Sequence, residues 1–276
     1  MSATTAPAGP ARGFAGELGL AGADLLQGLA HWRVWLGLAW QNVRTQYRRS
    51  VLGPFWITLA SAIQIATLGV LTSMLFGLGM RALLAPLCLG YLLWSLVSRI
   101  AGEGCSSYLD AAQYLRQVNQ PLSVYPLWTV ARNVLVFLHH LPVLLLLLVW
   151  PGVAVNARTL LVLGTLPMAV LSVSWLGFVL GPLSARYRDV PQIVASLLGI
   201  AFYLTPIFWE KRQLGSRAYL ADLNPLSHVI QIVRLPLLGQ APEPLSLAVT
   251  GALILVGWSA ALVSLARCRT TLAYWV

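Results

Sequence analysis

His139 and His140 are the only adjacent histidines in the chain. Neighbours on a helix point about 100° apart, so the pair is a poor two-point metal site. Glu103, Asp110, Asp189 and Asp222 stand far apart in segments that read as loops. A paired-carboxylate site for glycosyl transfer or hydrolysis is hard to assemble from them. Neither HExxH nor a nucleophile elbow occurs. The one lysine, Lys211, lies between Glu210 and Arg212. A phosphate-binding loop of the form GxxxxGK followed by Ser or Thr is therefore impossible in this sequence. If ATP supplies energy, another subunit binds it. Cys88, Cys105 and Cys268 are scattered without a CxxC and give no disulfide framework. No catalytic residue and no metal site is expected.

Chemistry gives way to composition. The 276 residues are 58% hydrophobic and 9% charged, with a mean hydropathy of +0.75. A water-facing surface needs roughly a quarter of its residues charged. This chain is expected to lie mostly in lipid. Its net charge of +10 comes from 17 Arg and one Lys against eight acids. No nucleic-acid motif accompanies that charge, which fits loops facing anionic lipid.

Six stretches reach the roughly 20 residues a crossing helix needs. They are Pro54–Leu78, 82–98, 133–155, 159–181, 190–209 and 244–266. Backbone groups in hydrocarbon must pair internally, so an all-α bundle is expected. Pro86, Pro142, Pro167 and Pro206 predict bends or breaks. The span centres carry no Asp, Glu, Lys or Arg. Ion-coupled carriers place such groups there, so a secondary transporter and a charged filter are disfavoured.

Residues 1–28 read as a flexible cytoplasmic tail without a cleavable signal peptide, and 29–276 as one transmembrane domain. Over 29–50, Leu29, Trp32, Leu36, Val43 and Tyr47 recur at helical spacing, with Arg33, Arg44 and Arg48 beside them. This predicts an amphipathic helix in the inner interface. Residues 100–132 form a long polar connection, and 210–243 a half-apolar outer one. Six spans put both termini on one side. Twelve basic residues (Arg12, Arg33, Arg44, Arg48, Arg49, Arg99, Arg116, Arg132, Arg186, Arg188, Arg267 and Arg269) then share the side of the termini. Six (Arg81, Arg158, Lys211, Arg212, Arg217 and Arg234) lie opposite. The positive-inside rule places both ends in the cytoplasm.

Three stretches carry a family resemblance. QYRRSVLGPFW at Gln46–Trp56, ARYRDVPQIVASLLGIAFYLTPIFW at Ala185–Trp209 and NPLSHVIQIVRLPLLG at Asn224–Gly239 are similar, in order, to ABC-2-type permeases of polysaccharide exporters. These comprise the exporters of O-antigen, capsule and teichoic acid. The resemblance covers about residues 30–270. It implies a six-helix, type V exporter-like bundle with an N-terminal interface helix and outer re-entrant gate helices. It also implies a homodimer in the bacterial inner membrane, served by two copies of a P-loop ABC ATPase that binds ATP and Mg. The implied substrate is a lipid-linked polysaccharide, O-antigen first. An exporter of a drug or small lipid, a membrane enzyme of lipid-glycan assembly and a non-catalytic scaffold are the alternatives.

The resemblance assigns ATPase coupling to Trp40, Arg44, Arg48, Gln113, Tyr114, Arg116 and Pro121. LRQVNQP at 115–121 departs from the family's commoner Lys-Lys-V/I-x-F-P run. Arg48 and Arg49 can meet phosphate, either of inner-leaflet lipid or of a lipid-linked substrate, or simply fix topology. Trp56, Phe76, Tyr91, Trp94, Trp175, Phe178, Phe202 and Tyr203 can form an uncharged wall for sugar faces, or pack helices and girdle the membrane, and Phe137 and Trp258 share that choice. Pro206, Asn224, Pro225 and Arg234 are assigned to the outer gate.

Overall fold

The computed structural model describes residues 13–46, 48, 51–53, 55–77, 79–151 and 153–276. Arg12, Tyr47, Arg49, Pro54 and Leu78 fall outside them, as do the side chains of Phe76, Arg81 and Arg212. No strand occurs among the described residues. In chain order the helices are α1 (Phe14–Ala30), α2 (Trp32–Gln46), α3 (Phe55–Phe76), α4 (Met80–Gly104), α5 (Ala112–Gln117), α6 (Val124–Leu138), α7 (Leu141–Leu148), α8 (Val162–Arg186), α9 (Val190–Leu204), α10 (Tyr219–Asp222), α11 (Pro225–Leu237), α12 (Pro244–Cys268) and α13 (Leu272–Trp275). Tight 3-10 turns at Ala157–Leu161 and Lys211–Arg217 precede α8 and α10.

Four helices are long and apolar enough to cross a membrane singly: α3, α4, α8 with its preceding turn, and α12. The stretch expected as one helix over 133–155 is instead α6 and α7, bent by 46° at His139-His140. Pro142 in the first turn of α7 cannot donate to the preceding turn, so the ladder breaks there. Pro86 and Pro167, expected to bend their helices, stay inside α4 and α8, within the first two turns of each. The expected span 190–209 stops at Leu204, and Thr205–Trp209 is non-helical. Pro206 has no amide hydrogen with which to continue it. Fifteen residues of α9 cover about 22 Å, less than the ~30 Å of hydrocarbon.

Other boundaries move for electrostatic reasons. The second span was expected to close at Arg99, yet α4 runs on to Gly104. Arg99 and Glu103 pair one turn apart, and Glu103 also takes Arg132 of α6. The connection read as 100–132 therefore shrinks to 105–123.

The expected tail is corrected for its described part. Residues 14–30 are helix α1, packed on α6 and α12. Ala21, Asp24 and Gly28 fall on one face by their spacing. Ala21 is fully buried. The Asp24 carboxylate accepts the amides of Leu122 (3.0 Å) and Ser123 (2.9 Å) just before α6. A Cβ on Gly28 would stand 2.0 Å from Ser123 Oγ, so only glycine lets the two backbones meet. Composition suggested disorder, but Ala21 and Gly28 let α1 pack closely, while Gly19 and Gly22 face open space.

The stripe expected on 29–50 is also revised. Ala39 and Val43 are buried, with Trp35 packed beside Ala39 against α6, whereas Trp32, Leu36 and Trp40 face outward. Exposed tryptophans beside Arg33 and Arg44 suit headgroup depth.

The bundle has two unlike ends. Arg99 in the last turns of α4, Arg132 on α6 paired with the same Glu103, and Arg186 and Arg267 at the ends of α8 and α12 mark one end, together with α2 and α5. The opposite end holds the α7–α8 and α11–α12 connections, pinned where Asn156 Nδ2 donates to Gly239 O at 2.9 Å.

Asp24→Asn and Gly28→Val are both expected to loosen α1. Asp24→Asn should cost about 1–2 kcal/mol through lost charge-assisted bonds. Hydrogen exchange at the Leu122 and Ser123 amides should then quicken about tenfold, with Gly28→Val the more severe.

Candidate functional site

α3, α4 and α9 enclose a groove along the bundle. Towards its middle, Gln64, Tyr91, Trp94, Ser95, Ser98, Phe202 and Tyr203 line a cavity of about 430 Å³. Towards the arginine-rich end, Trp56, Gln64, Tyr91, Ser95, Arg99 and His140 line a further one of about 250 Å³. Gln64, Tyr91 and Ser95 belong to both, so the two are continuous. Trp94 meets Phe202 edge-on at 5.8 Å, and Phe202 meets Tyr203 at 5.4 Å. The wall offers ring faces, hydroxyls and an amide, with Arg99 as its one acidic or strongly basic side chain.

The predicted aromatics divide. Trp56, Tyr91, Trp94, Phe202 and Tyr203 share the groove. Trp175 and Phe178 do not. Phe178 is 1% exposed and packs on Trp258 at 5.2 Å in the seam between α8 and α12. Trp175 lies over Gly257 in that seam and donates Nε1–H to Ser172 O at 2.7 Å. Phe137 is buried in the main core. The Phe76 side chain is outside the described residues.

All four residues assigned to the outer gate converge. Arg234 is buried and donates from Nη1 to Pro206 O at 2.7 Å. Gly90 of α4 makes room, since a Cβ there would lie 3.2 Å from both Arg234 Nη1 and Ile207 O. Asn224 caps α11 through its Oδ1, and its Nδ2 donates to Thr205 Oγ1 at 2.9 Å. Pro225 occupies the first turn of α11. Lys211 pairs with Asp222, so the lone lysine braces the connection between α9 and α11. α11 is mostly buried against α4, α8 and α12.

The residues assigned to coupling gather at the arginine-rich end. Trp40, Arg44 and Arg48 are exposed on and after α2, and Gln113, Tyr114 and Arg116 on α5. Tyr114 meets Trp128 of α6 edge-on at 6.0 Å. Arg116 donates to Val276 O, and half-buried Pro121 accepts from Val124 N. A polar cleft of about 460 Å³ runs from Asp24 past Arg116 and Asn119 to Arg269. Beneath it, burial foremost and the Asp24 charge next hold the Tyr108 phenol well above its ordinary pKa.

Sequence reasoning missed Asp24, Gln64, Glu103, Arg132 and Asn133. The i, i+4 spacing of Arg99 and Glu103 was the available signal for Glu103, whereas Arg132 and Asn133 meet it from α6, about thirty residues on. Among the described residues no three His, Cys, Asp or Glu side chains converge as metal ligands.

The sequence model described as ABC-2 type transporter matches residues 33–238, three quarters of the chain. The chain belongs to the ABC-2 type transporter family. Similar relatives include a Myxococcus xanthus protein named O-antigen export system permease protein RfbA, 25% identical over 69% of this chain and 75% of that one. A Klebsiella pneumoniae protein of the same name is 24% identical over 69% and 74%. The family match of this ABC-2 transporter begins with α2 and ends with α11, leaving α1 and α12 outside it.

Arg234→Met removes the donor to a buried carbonyl at similar side-chain length. It should cost about 1–3 kcal/mol, read as a lower Tm in detergent. Gly90→Ala, which only crowds the same contact, should fall between that variant and the wild type.

Proposed function

We propose that this ABC-2 transporter is the membrane subunit of an ATP-driven bacterial exporter of a lipid-linked polysaccharide, O-antigen first among candidates. The observation that carries the reading is the groove of Tyr91, Trp94, Phe202 and Tyr203, with Gln64 and serine hydroxyls. Its neutral ring faces and dispersed polar groups suit a sugar chain that slides rather than docks. Similarity along three quarters of two permeases named for O-antigen export supports the same substrate class.

In this reading the subunit is a homodimer in the inner membrane with both termini cytoplasmic. Two copies of a P-loop ATPase bind ATP and Mg and press on Trp40, Arg44, Arg48 and on Gln113–Pro121. The push passes through α6, on which α2 and α5 both rest. Arg48 and Arg49 would meet phosphate at the entry side. The Arg234–Pro206 contact would hold the outer path until it opens. A small-lipid or drug exporter is the second reading. It is favoured by an apolar cleft of about 780 Å³ lined by Tyr203, Leu204, Trp209 and Leu220.

Deletion of the gene should abolish long-chain surface glycan and leave lipid-linked glycan inside, and wild-type chain should restore both. The tagged chain should co-purify with a P-loop ATPase in equal number. Trp94→Ala should lower surface glycan while leaving the complex intact. Unchanged surface glycan in the deletion strain would reject polysaccharide export and point to the second reading or to a scaffold.

A further inference from the structure

At the arginine-rich end of the groove, α4 and α6 build a charge cluster that the export reading leaves without a role. Glu103 Oε1 pairs with Arg99 Nη2 at 3.1 Å. Glu103 Oε2 takes Arg132 Nη2 at 2.7 Å and Asn133 Nδ2 at 2.8 Å. Arg99 Nε donates to Asn133 Oδ1 at 3.2 Å. Two guanidinium groups thus share one carboxylate, and one positive charge is left over. The Arg132 side chain is 15% exposed and that of Arg99 42%. The closer, more buried ion pair is Arg132–Glu103, so the surplus charge sits on Arg99.

Arg99 forms a wall of the 250 Å³ cavity. Its neighbours in that wall are Trp56, Gln64, Tyr91 and His140, and no carboxylate lines it. His140 is only 3% exposed, and its Nδ1 finds no partner among the described residues. A buried ring nitrogen left unpaired is uncommon in a purely structural role. Asn133 and Glu103 hold Arg99 Nε and Nη2, so the guanidinium is preorganised and its Nη1 edge is left to meet a phosphate. The indole and phenol beside it suit a sugar ring.

We propose that Arg99 docks the phosphate of a sugar-phosphate headgroup at the entry of the groove, with Trp56 and Tyr91 against the sugar. Glu103 and Asn133 are positioning residues that hold the guanidinium. The proposal rests on the polysaccharide reading and names the end of the substrate that enters first. A phospholipid headgroup offers the same phosphate without the sugar, and the test separates the two.

Purified full-length chain in phosphatidylcholine nanodiscs would be titrated with N-acetylglucosamine 1-phosphate, N-acetylglucosamine and inorganic phosphate. The sugar phosphate should bind most tightly. Arg99→Gln should weaken it roughly tenfold or more and leave the neutral sugar unchanged, while Arg99→Lys, which keeps the charge but not the fork, should fall between Arg99→Gln and the wild type. Glu103→Gln keeps a carbonyl to accept from Arg99, with Asn133 still in place, and removes the competing negative charge, so it should bind at least as tightly as wild type. A brace with no ligand role predicts the reverse, with Arg99→Gln and Glu103→Gln failing in parallel. That parallel failure, or unaltered binding in Arg99→Gln, overturns the proposal, provided all variants elute and melt as wild type. Phosphatidylglycerol nanodiscs that abolish sugar-phosphate binding, with the sugar adding nothing over inorganic phosphate, would overturn the sugar-phosphate source. Glycan export by the wild type alongside Arg99-independent binding removes this inference alone. An absent export phenotype in the deletion strain removes the reading beneath it.

Discussion

Pro206 has no amide hydrogen to give, and its carbonyl follows the point where α9 ends. In a medium without water an unpaired carbonyl costs several kcal/mol. Arg234 reaches from α11 to take it, and Gly90 yields the space. Several other breaks among the described residues meet the same constraint. Asp24 satisfies the amides before α6, Asn224 caps α11, and Asn156 ties the start of α8 to Gly239. These polar side chains sit where helices stop, while Gln64, Ser95 and Ser98 stand on the helix faces that line the groove.

The same economy shapes the charges. Acids are scarce, and several of the described ones hold a cation or an amide in place: Glu103 with Arg99 and Arg132, Asp222 with Lys211, Asp24 with α6. Most arginines collect at one end of the bundle, where α2 and α5 rest on α6. At that end Trp35 packs on a small apolar cluster that includes Trp128 and Tyr125. The groove between α3, α4 and α9 opens from this end.

Long apolar runs announced α3, α8 and α12 closely, because length and the absence of charge are local properties. Pro206, Asn224, Pro225 and Arg234, which the resemblance assigned to one gate, do lie together in the structure. What failed was tertiary. Ala and Gly in 14–30 look alike whether disordered or close-packed, and only Ser123 across the gap distinguishes the two. Arg99 read as a stop because its neutralising partners lie one turn onward and on α6. The aromatics could not be sorted by type, since Trp175 and Trp94 differ only in which helix stands opposite.

α9 is about 22 Å long and carries Ile193, Leu197 and Ile200 more than half exposed. Wherever lipid reaches that helix, its acyl chains must shorten by several ångströms to match. A bilayer in contact with α9 would be pinched beside the groove. Thin or disordered lipid gathers there at little cost, and a thick, ordered membrane is penalised. Bilayer thickness thereby becomes a variable to which this side of the bundle responds.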